Sequence, residues 1–338
     1  MVRLRRVSAE EPGWTRRRAG RGFVYLDESG ERLPEDAAER VRALAIPPVW
    51  EDVWICPREN GHLQAVGTDA AGRRQYLYHP DWRAKRDQQK FDRVLELGAV
   101  LPRVRDRAER DLTTTGMSEA RASALAVRLL DLGCFRIGSD AYADDNGGFG
   151  LTTLERRHVR KRDGAYVFDF VGKSGVQHSI SIDDPLSVEA IATLRRRRAG
   201  FEELLAYKQD GRWRRLTPSM VNDYMRELSG LDVTAKDFRT WHATVLAALA
   251  LAEDPEAAER ATPTARSRRK QQVAAIKEVA DYLGNTPAIA RSSYVDPRVL
   301  ELHEQGHTLR LRPSASKDPR ARQAAAERAL LQLLSEDG

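Results

Sequence analysis

Apolar residues alternate with polar ones in the first part of the chain and recur every three or four positions afterwards. Phe23-Val24-Tyr25-Leu26 predicts a short strand that turns at Glu28-Ser29-Gly30, and Trp50 to Ile55 is rich in β-formers. Between them, Pro34 to Ala45 has helical spacing and stops before Pro47-Pro48. Leu63 to Gly67 and Arg73 to His79 flank Asp69-Ala70-Ala71-Gly72, a polar loop of hairpin length. Trp82 to Leu97 reads as a charged amphipathic helix, and Pro102 is expected to interrupt the chain shortly after it. The domain boundary is expected there, giving a small β-rich domain over residues 1–97 and a mainly helical one over 98–338.

In the second domain, Ser118 to Leu132 has a helical repeat that ends at Gly133. Three strand-like runs come next, Arg157 to Lys161, Ala165 to Val171 and Val176 to Ile182. With turns at Asp163-Gly164 and Lys173-Ser174-Gly175 they predict a three-stranded antiparallel meander. Helices are expected at 185–198, 218–228, 237–252, 266–283 and 320–335, with a further one opened by Thr286-Pro287 and broken after Tyr294. The fold class is α+β.

Composition narrows the function. A chain of 338 residues at 41% hydrophobic and 31% charged buries a real core and is not wholly disordered. Its longest apolar run, Val245 to Ala252, is far short of the roughly 20 residues of a membrane span. No apolar segment comes after the basic start, so a cytoplasmic location is expected. Cys56 and Cys134 lie far apart without metal-ligand spacing, which excludes a disulfide scaffold or a cysteine-rich zinc module. The net charge of +6 suits a polyanionic partner but also an ordinary solvated surface. Only nine of the 56 basic residues are lysine, so a lysine in a special place carries information.

Several signatures are absent or weak. There is no P-loop, no Gly-x-Gly-x-x-Gly and no Gly-x-Ser-x-Gly elbow. Gly147-Gly148-Phe149-Gly150 leads to no Walker lysine, so no nucleotide cofactor is expected. His303-Glu304-Gln305-Gly306-His307 matches a zinc-helix pattern, but Gly306 weakens the helix it needs and no third ligand lies nearby. A partly exposed helix end with two surface histidines is the plainer reading, and no metal is expected.

What remains is a dispersed constellation. Cys134-Phe135-Arg136-Ile137-Gly138 comes after a helix stop, and Phe170-Val171-Gly172-Lys173 puts a lysine on a hairpin tip. Lys236-Asp237-Phe238-Arg239-Thr240 opens a helix, and Leu283-Gly284-Asn285-Thr286-Pro287 leads to Ser293-Tyr294-Val295-Asp296-Pro297. Singly, each has a structural explanation: a surface arginine, a solvated turn, a local cap, a core ring. Together and in this order they resemble the type IB DNA topoisomerases of the small poxvirus-like class found in bacteria, over nearly the whole chain from about Phe23 to Val299.

The resemblance implies a two-domain clamp around duplex DNA, and an active site of Arg136, Lys173, Arg239 and Tyr294. Many members carry a histidine where this chain has Asn285, which keeps a hydrogen-bonding role there but not a charged one. It also implies a nucleoid-associated monomer that needs neither cofactor nor nucleotide and has no membrane partner.

The residue chemistry agrees. Two guanidiniums stabilise the extra charge of a pentacoordinate phosphorus through planar, charge-assisted hydrogen bonds, and an amide NH2 adds a neutral donor. A phenol ionises near pH 10, so a tyrosine nucleophile needs cationic neighbours. The departing 5′-oxygen needs a proton, which a lysine on a hairpin tip supplies. Asp237 and Asp296 stand alone in these segments, whereas a Mg²⁺-dependent nuclease wants clustered acids.

A second set of residues is expected to hold DNA. In the Arg73 to His79 strand, alternation puts Gln75, Leu77 and His79 on one face and Tyr76 and Tyr78 on the other. An amphipathic core strand explains this pattern equally well, and the resemblance favours DNA contact by Gln75, Tyr76 and Tyr78. Lys85, Arg86 and Lys90 are the phosphate contacts expected on the next helix. Tyr142, Thr152, Arg156 and Arg157 flank the glycine-rich loop, and Lys236 opens the arginine helix. A tyrosine recombinase is the alternative, though such proteins usually carry His-x-x-Arg where this chain has Lys236 to Arg239 and begin with a helical domain. A non-catalytic DNA-binding protein is the third reading.

Overall fold

The computed structural model describes residues 3–138, 148–198, 200–252, 264–309 and 319–336, and it divides into two units, Met1–Lys90 and Phe91–Gly338. The first holds a five-stranded antiparallel sheet in the order β2-β1-β3-β4-β5. Its strands are β1 (Trp14–Ala19), β2 (Gly22–Leu26), β3 (Glu51–Ile55), β4 (Leu63–Thr68) and β5 (Arg74–Tyr78), with one helix, α1 (Glu35–Ala43). Leu33, Val41, Ile46, Val53, Ile55 and Ala65 form its core, with Leu77 packed against it. Strand β1 was not expected, because Arg16 occupies an inward position. Its guanidinium lies 4.1 Å from the Phe23 ring and donates to the carbonyls of Ile46, Pro47 and Trp50 at 3.1, 3.0 and 2.7 Å.

Helix α2 (Pro80–Leu112) runs unbroken through Pro102, which corrects the expected interruption. A mid-helix proline costs about 3 kcal/mol, against roughly 1.5–3 kcal/mol gained for each large apolar side chain buried. Here Leu97, Leu101 and Leu112 are fully buried around it. The residue four before the proline is Gly98, and a Cβ there would fall 2.4 Å from the Trp241 ring, so the helix is locked flat against that indole. The division between the units therefore falls inside a helix, at Lys90/Phe91.

The second unit continues with α3 (Glu119–Gly133), then the meander β6 (Val159–Arg162), β7 (Ala165–Val171) and β8 (Gln177–Ile182). Then come α4 (Pro185–Arg196), a hairpin of β9 (Ala206–Gln209) and β10 (Arg212–Arg215), and α5 (Pro218–Ser229). The chain closes with α6 (Ala235–Ala250), α7 (Ala265–Leu283), α8 (Pro287–Ser293), α9 (Pro297–Gln305) and α10 (Pro319–Glu336). The β9–β10 hairpin was not expected. Every residue of α3 from Arg121 to Asp131 is buried, and Phe135, Phe168, Phe238 and Trp241 are the large fully buried side chains around it. No described helix is long and apolar enough to cross a membrane.

Helix α9 ends at Gly306, which takes φ +89°, so His303 and His307 do not share a helix as a zinc motif requires. His303 is only 1% exposed, which corrects the expected surface position.

Candidate active site

Five chain segments build the site, and a local rule fixes each. Helix α3 opens on Ser118, whose hydroxyl accepts from the Arg121 N–H, and ends in Cys134, which adopts the left-handed conformation expected of the preceding glycine. Gly133 is needed for another reason: a Cβ there would lie 2.3 Å from the Phe135 ring. Phe135 stacks edge-on against Phe168 and parallel to Phe170, and this fixes where the next residue, Arg136, leaves the core.

Helix α6 begins with a reciprocal cap in which the Thr234 N–H and hydroxyl donate to Asp237 at 2.8 and 2.9 Å. Asp237 also receives Arg93, so this carboxylate is engaged. One turn in, Arg239 is 4% exposed and donates to the carbonyls of Cys134 and, at 2.9 Å, Leu283. Its guanidinium stands 5.5 Å from the Tyr294 ring centre.

Helix α7 stops at Gly284 in the left-handed region, and the carbonyls of Leu283 and Gly284 turn towards the two arginines. Arg136 donates to the Gly284 carbonyl at 3.2 Å and to Oδ1 of Asn285. That leaves Nδ2 of Asn285 buried without a hydrogen-bond partner among the described residues. Burial first, and then the charge of Arg239, lower the Arg136 pKa, while Tyr294 acts in the opposite sense. An arginine in that position stays protonated at neutral pH.

Tyr294 is the residue after α8, a helix capped by Thr286 with Pro287 in its first turn. Its N–H donates to Ala290 at 3.0 Å and its carbonyl accepts from the Thr244 hydroxyl at 3.2 Å, between buried Ala290 and Val295. The backbone is pinned on both sides while the side chain is only half-buried. Asp296 caps α9 and pairs with Arg298 at 2.8 Å, so it too is engaged.

Lys173 is exposed on the β7–β8 tip. Its neighbour Gly172 is packed from one side by Gly148, where a Cβ would be 3.2 Å from the Gly172 carbonyl, and from the other by His178. The Phe149 N–H donates to Val171 at 2.8 Å, and Gly150 sits on Gly138, so the glycine-rich segment fastens the Arg136 segment to the lysine hairpin. Sequence reasoning missed His178. It lines a groove of about 430 Å³ together with Arg136, Arg239, Phe170 and Tyr282.

The expected DNA contacts divide. Tyr76 is 47% exposed and stacks with Tyr78, their ring centres 6.2 Å apart, on the face opposite Leu77. Gln75 shares the core side instead, and its amide donates to Asp69 at 2.8 Å. Lys85 and Arg86 are exposed on α2, and Lys90 pairs with Asp87. Lys236 is exposed in the first turn of α6.

Two more of the expected contacts are engaged within the protein. Thr152 is 2% exposed and spends its hydroxyl on the Ile137 carbonyl at 2.9 Å, so it is part of the scaffold. Arg156 ties down the segment after α4 through the carbonyls of Arg197 and Phe201 at 3.0 and 3.2 Å. Arg157 stays exposed beside Glu155, and Tyr142 lies outside the described residues.

The chain is similar to known proteins over most of its length. A family described as the catalytic core of eukaryotic DNA topoisomerase I matches residues 79–311, and the N-terminal domain of bacterial DNA topoisomerase IB matches residues 22–69. DNA topoisomerase 1B of Acanthamoeba polyphaga mimivirus is 29% identical over 297 residues, covering 86% of this chain and 88% of the viral protein. DNA topoisomerase 1B of vaccinia virus (strain Copenhagen) is 24% identical over 263 residues, covering 75% of this chain and 76% of the viral one. Among solved structures, XerH site-specific recombinase bound to its palindromic difH substrate aligns with a TM-score of 0.35 at 15% identity, over 58% of this chain and 49% of that one. The two family models and the viral relatives define the class as an isomerase acting on DNA. The chain belongs to the type IB DNA topoisomerase family.

Proposed function

We propose that this topoisomerase relaxes supercoiled duplex DNA by cutting one strand through a 3′-phosphotyrosyl bond, letting the free end rotate and then resealing it. The observation that carries the reading is one connected group beside Tyr294: buried Arg239, Arg136, and the unpaired amide of Asn285. In this reading the Tyr294 phenol loses its proton to water, its oxygen attacks phosphorus, and the bond to the 5′-oxygen breaks. Arg136, Arg239 and Nδ2 of Asn285 hold the charge on the non-bridging oxygens. Lys173 gives the departing 5′-oxygen its proton and takes it back on resealing.

The phosphotyrosyl bond keeps the energy of the phosphodiester it replaces, so resealing requires no ATP. Neither Asp237 nor Asp296 is available as a ligand, which supports a metal-independent reaction. Tyr76, Tyr78, Lys85, Arg86, Arg157 and Lys236 are the surface residues this reading assigns to DNA. The test is plasmid relaxation in EDTA without ATP, with detergent trapping of a protein–DNA adduct on the 3′ side of the nick. Relaxation that requires Mg²⁺, or an adduct on the 5′ end, overturns it.

A further inference from the structure

The tip of the β7–β8 hairpin carries Lys173. Lys173, Ser174 and Gly175 are all exposed, and the turn is closed by its own bonds, from the Gly172 N–H to Val176 at 2.7 Å and from the Gly175 N–H to Gly172 at 3.2 Å. Ser174 and Gly175 both lie in the left-handed region, at φ +62° and +76°. Such a turn has a fixed shape, and Gly148 and the Phe149–Val171 bond hold one side of its base.

The other side meets one side chain on the next strand. The imidazole of His178 lies face-on against Phe170, with ring centres 5.1 Å apart and planes 22° from parallel. Its outer edge enters a slot between two glycines. A Cβ on Gly172 would fall 2.7 Å from both Cδ2 and Nε2, and a Cβ on Gly284 would fall 2.7 Å from Cε1. One glycine immediately precedes Lys173. The other immediately precedes Asn285, and its carbonyl receives Arg136. The ring therefore touches both halves of the reacting apparatus, and any side chain at either glycine would push it out.

We propose that His178 is a positioning residue whose ring wedges the Lys173 hairpin at a set distance from the Gly284–Asn285 corner and so aims Lys173 at the leaving oxygen. This rests on Lys173 being the proton donor. Burial first, and then the charges of Arg136 and Arg239, keep the imidazole pKa below its usual range. A neutral ring at physiological pH is what a spacer between cationic groups requires. Backing by Gly148 on the far side of Gly172 closes the arrangement: the hairpin is gripped between a glycine backbone and an aromatic ring.

The experiment is single-turnover cleavage by His178→Ala, His178→Phe, Lys173→Ala and the Lys173/His178 double alanine variant. Each is measured on an ordinary oligonucleotide and on one with sulfur at the 5′-bridging position, whose thiolate leaves without a proton. Loss of the wedge lets the lysine wander by an ångström or so, which should slow H178A by about 10²-fold on the oxygen substrate. Sulfur should bring H178A back close to wild type, as it should K173A. H178F, which keeps a flat ring on Phe170, should recover most of the loss and serves if H178A does not fold. The double variant should be no slower than K173A alone, because the two residues act through one step.

Normal oxygen-substrate cleavage by H178A overturns the proposal. So does an H178A defect that persists on sulfur while K173A is rescued. If sulfur rescues neither single variant, Lys173 is not the proton donor, and the double variant decides the rest. Additive losses overturn the wedge, and non-additive ones keep it as the support for Lys173 in another role.

Discussion

Arg136 donates to Oδ1 of Asn285, and in doing so it turns the amide so that Nδ2 is left buried without a protein acceptor among the described residues. A buried donor without an acceptor costs about 1–3 kcal/mol, and the proposed reaction supplies that acceptor as a non-bridging phosphate oxygen. Asn285→Ala should therefore slow single-turnover cleavage by about 10²-fold. Asn285→His, whose ring N–H restores a donor, should retain most activity. Equal rates for alanine and wild type would show that this position contributes nothing.

Tyr294→Phe should bind duplex DNA normally and form no covalent adduct, since only the phenolic oxygen is removed. The adduct assay on a denaturing gel decides it, and residual relaxation near the wild-type rate would remove Tyr294 from the mechanism.

The two arginines should fail differently. Arg136→Ala and Arg239→Ala should each slow cleavage by roughly 10²–10³-fold with little loss of DNA affinity. Arg239→Ala should lower thermal stability more than Arg136→Ala, because its guanidinium is the buried one and its loss strands the carbonyls of Cys134 and Leu283. Lysine should rescue either position poorly, as a point charge does not reproduce the planar fork. Melting curves beside the kinetics separate the two effects.

Asp131 is fully buried, accepts two bonds from Arg105 at 2.8 and 2.9 Å, and lies 3.1 Å from His242. Burial acts to raise its pKa, but His242 and Arg105 outweigh it and hold the carboxyl well below the usual range. A depressed native pKa means stability that is complete above the unfolded value of about 3.9 and drains away as pH falls below it. Asp131→Asn should cost about 3–5 kcal/mol at pH 7, with the gap to wild type closing as the pH falls below about 4. Thermal unfolding across that range checks it, and a gap that stays constant with pH refutes it.

Arg156→Ala should destabilise the second unit and leave DNA affinity almost unchanged, whereas Tyr76→Ala should do the reverse. Filter binding and melting of the two variants make the comparison. Weakened binding by Arg156→Ala at unchanged stability would restore it as a DNA contact.

These assignments mark where the sequence is legible. Hairpin and cap chemistry is local, so the meander, the Thr286-Pro287 helix start and the Gly284 stop are readable from a few adjacent residues. Strand β1 hides because Arg16 sits where alternation wants an apolar side chain. The β9–β10 hairpin was readable in principle, from Asp210-Gly211, but its short strands carry three arginines and little alternation. Burial of polar groups is the harder part. Nothing near Thr152 or Arg156 says that their donors are used up on carbonyls far along the chain, and nothing near His178 says that two glycines wait for its ring. The residue types of the site are readable in order, but their mutual support is set by contacts more than a hundred residues apart in sequence, such as Arg136 with Asn285.

The Asp131 cluster has a partner at the far end of the chain. Arg105 also grips Glu327 on α10 at 2.7 and 2.8 Å, and Gln323 reaches both Glu327 and His242. His242 lies one turn beyond Arg239 on α6, and Asp131 lies one turn before Cys134, whose carbonyl Arg239 holds. The polypeptide is made from the other end, so Tyr294 leaves the ribosome before the residues that settle its surroundings do. A chain interrupted ahead of Pro319 carries Tyr294 without the helix that fastens the arginine floor, so the surroundings of the tyrosine are finished only after the tyrosine itself has been made.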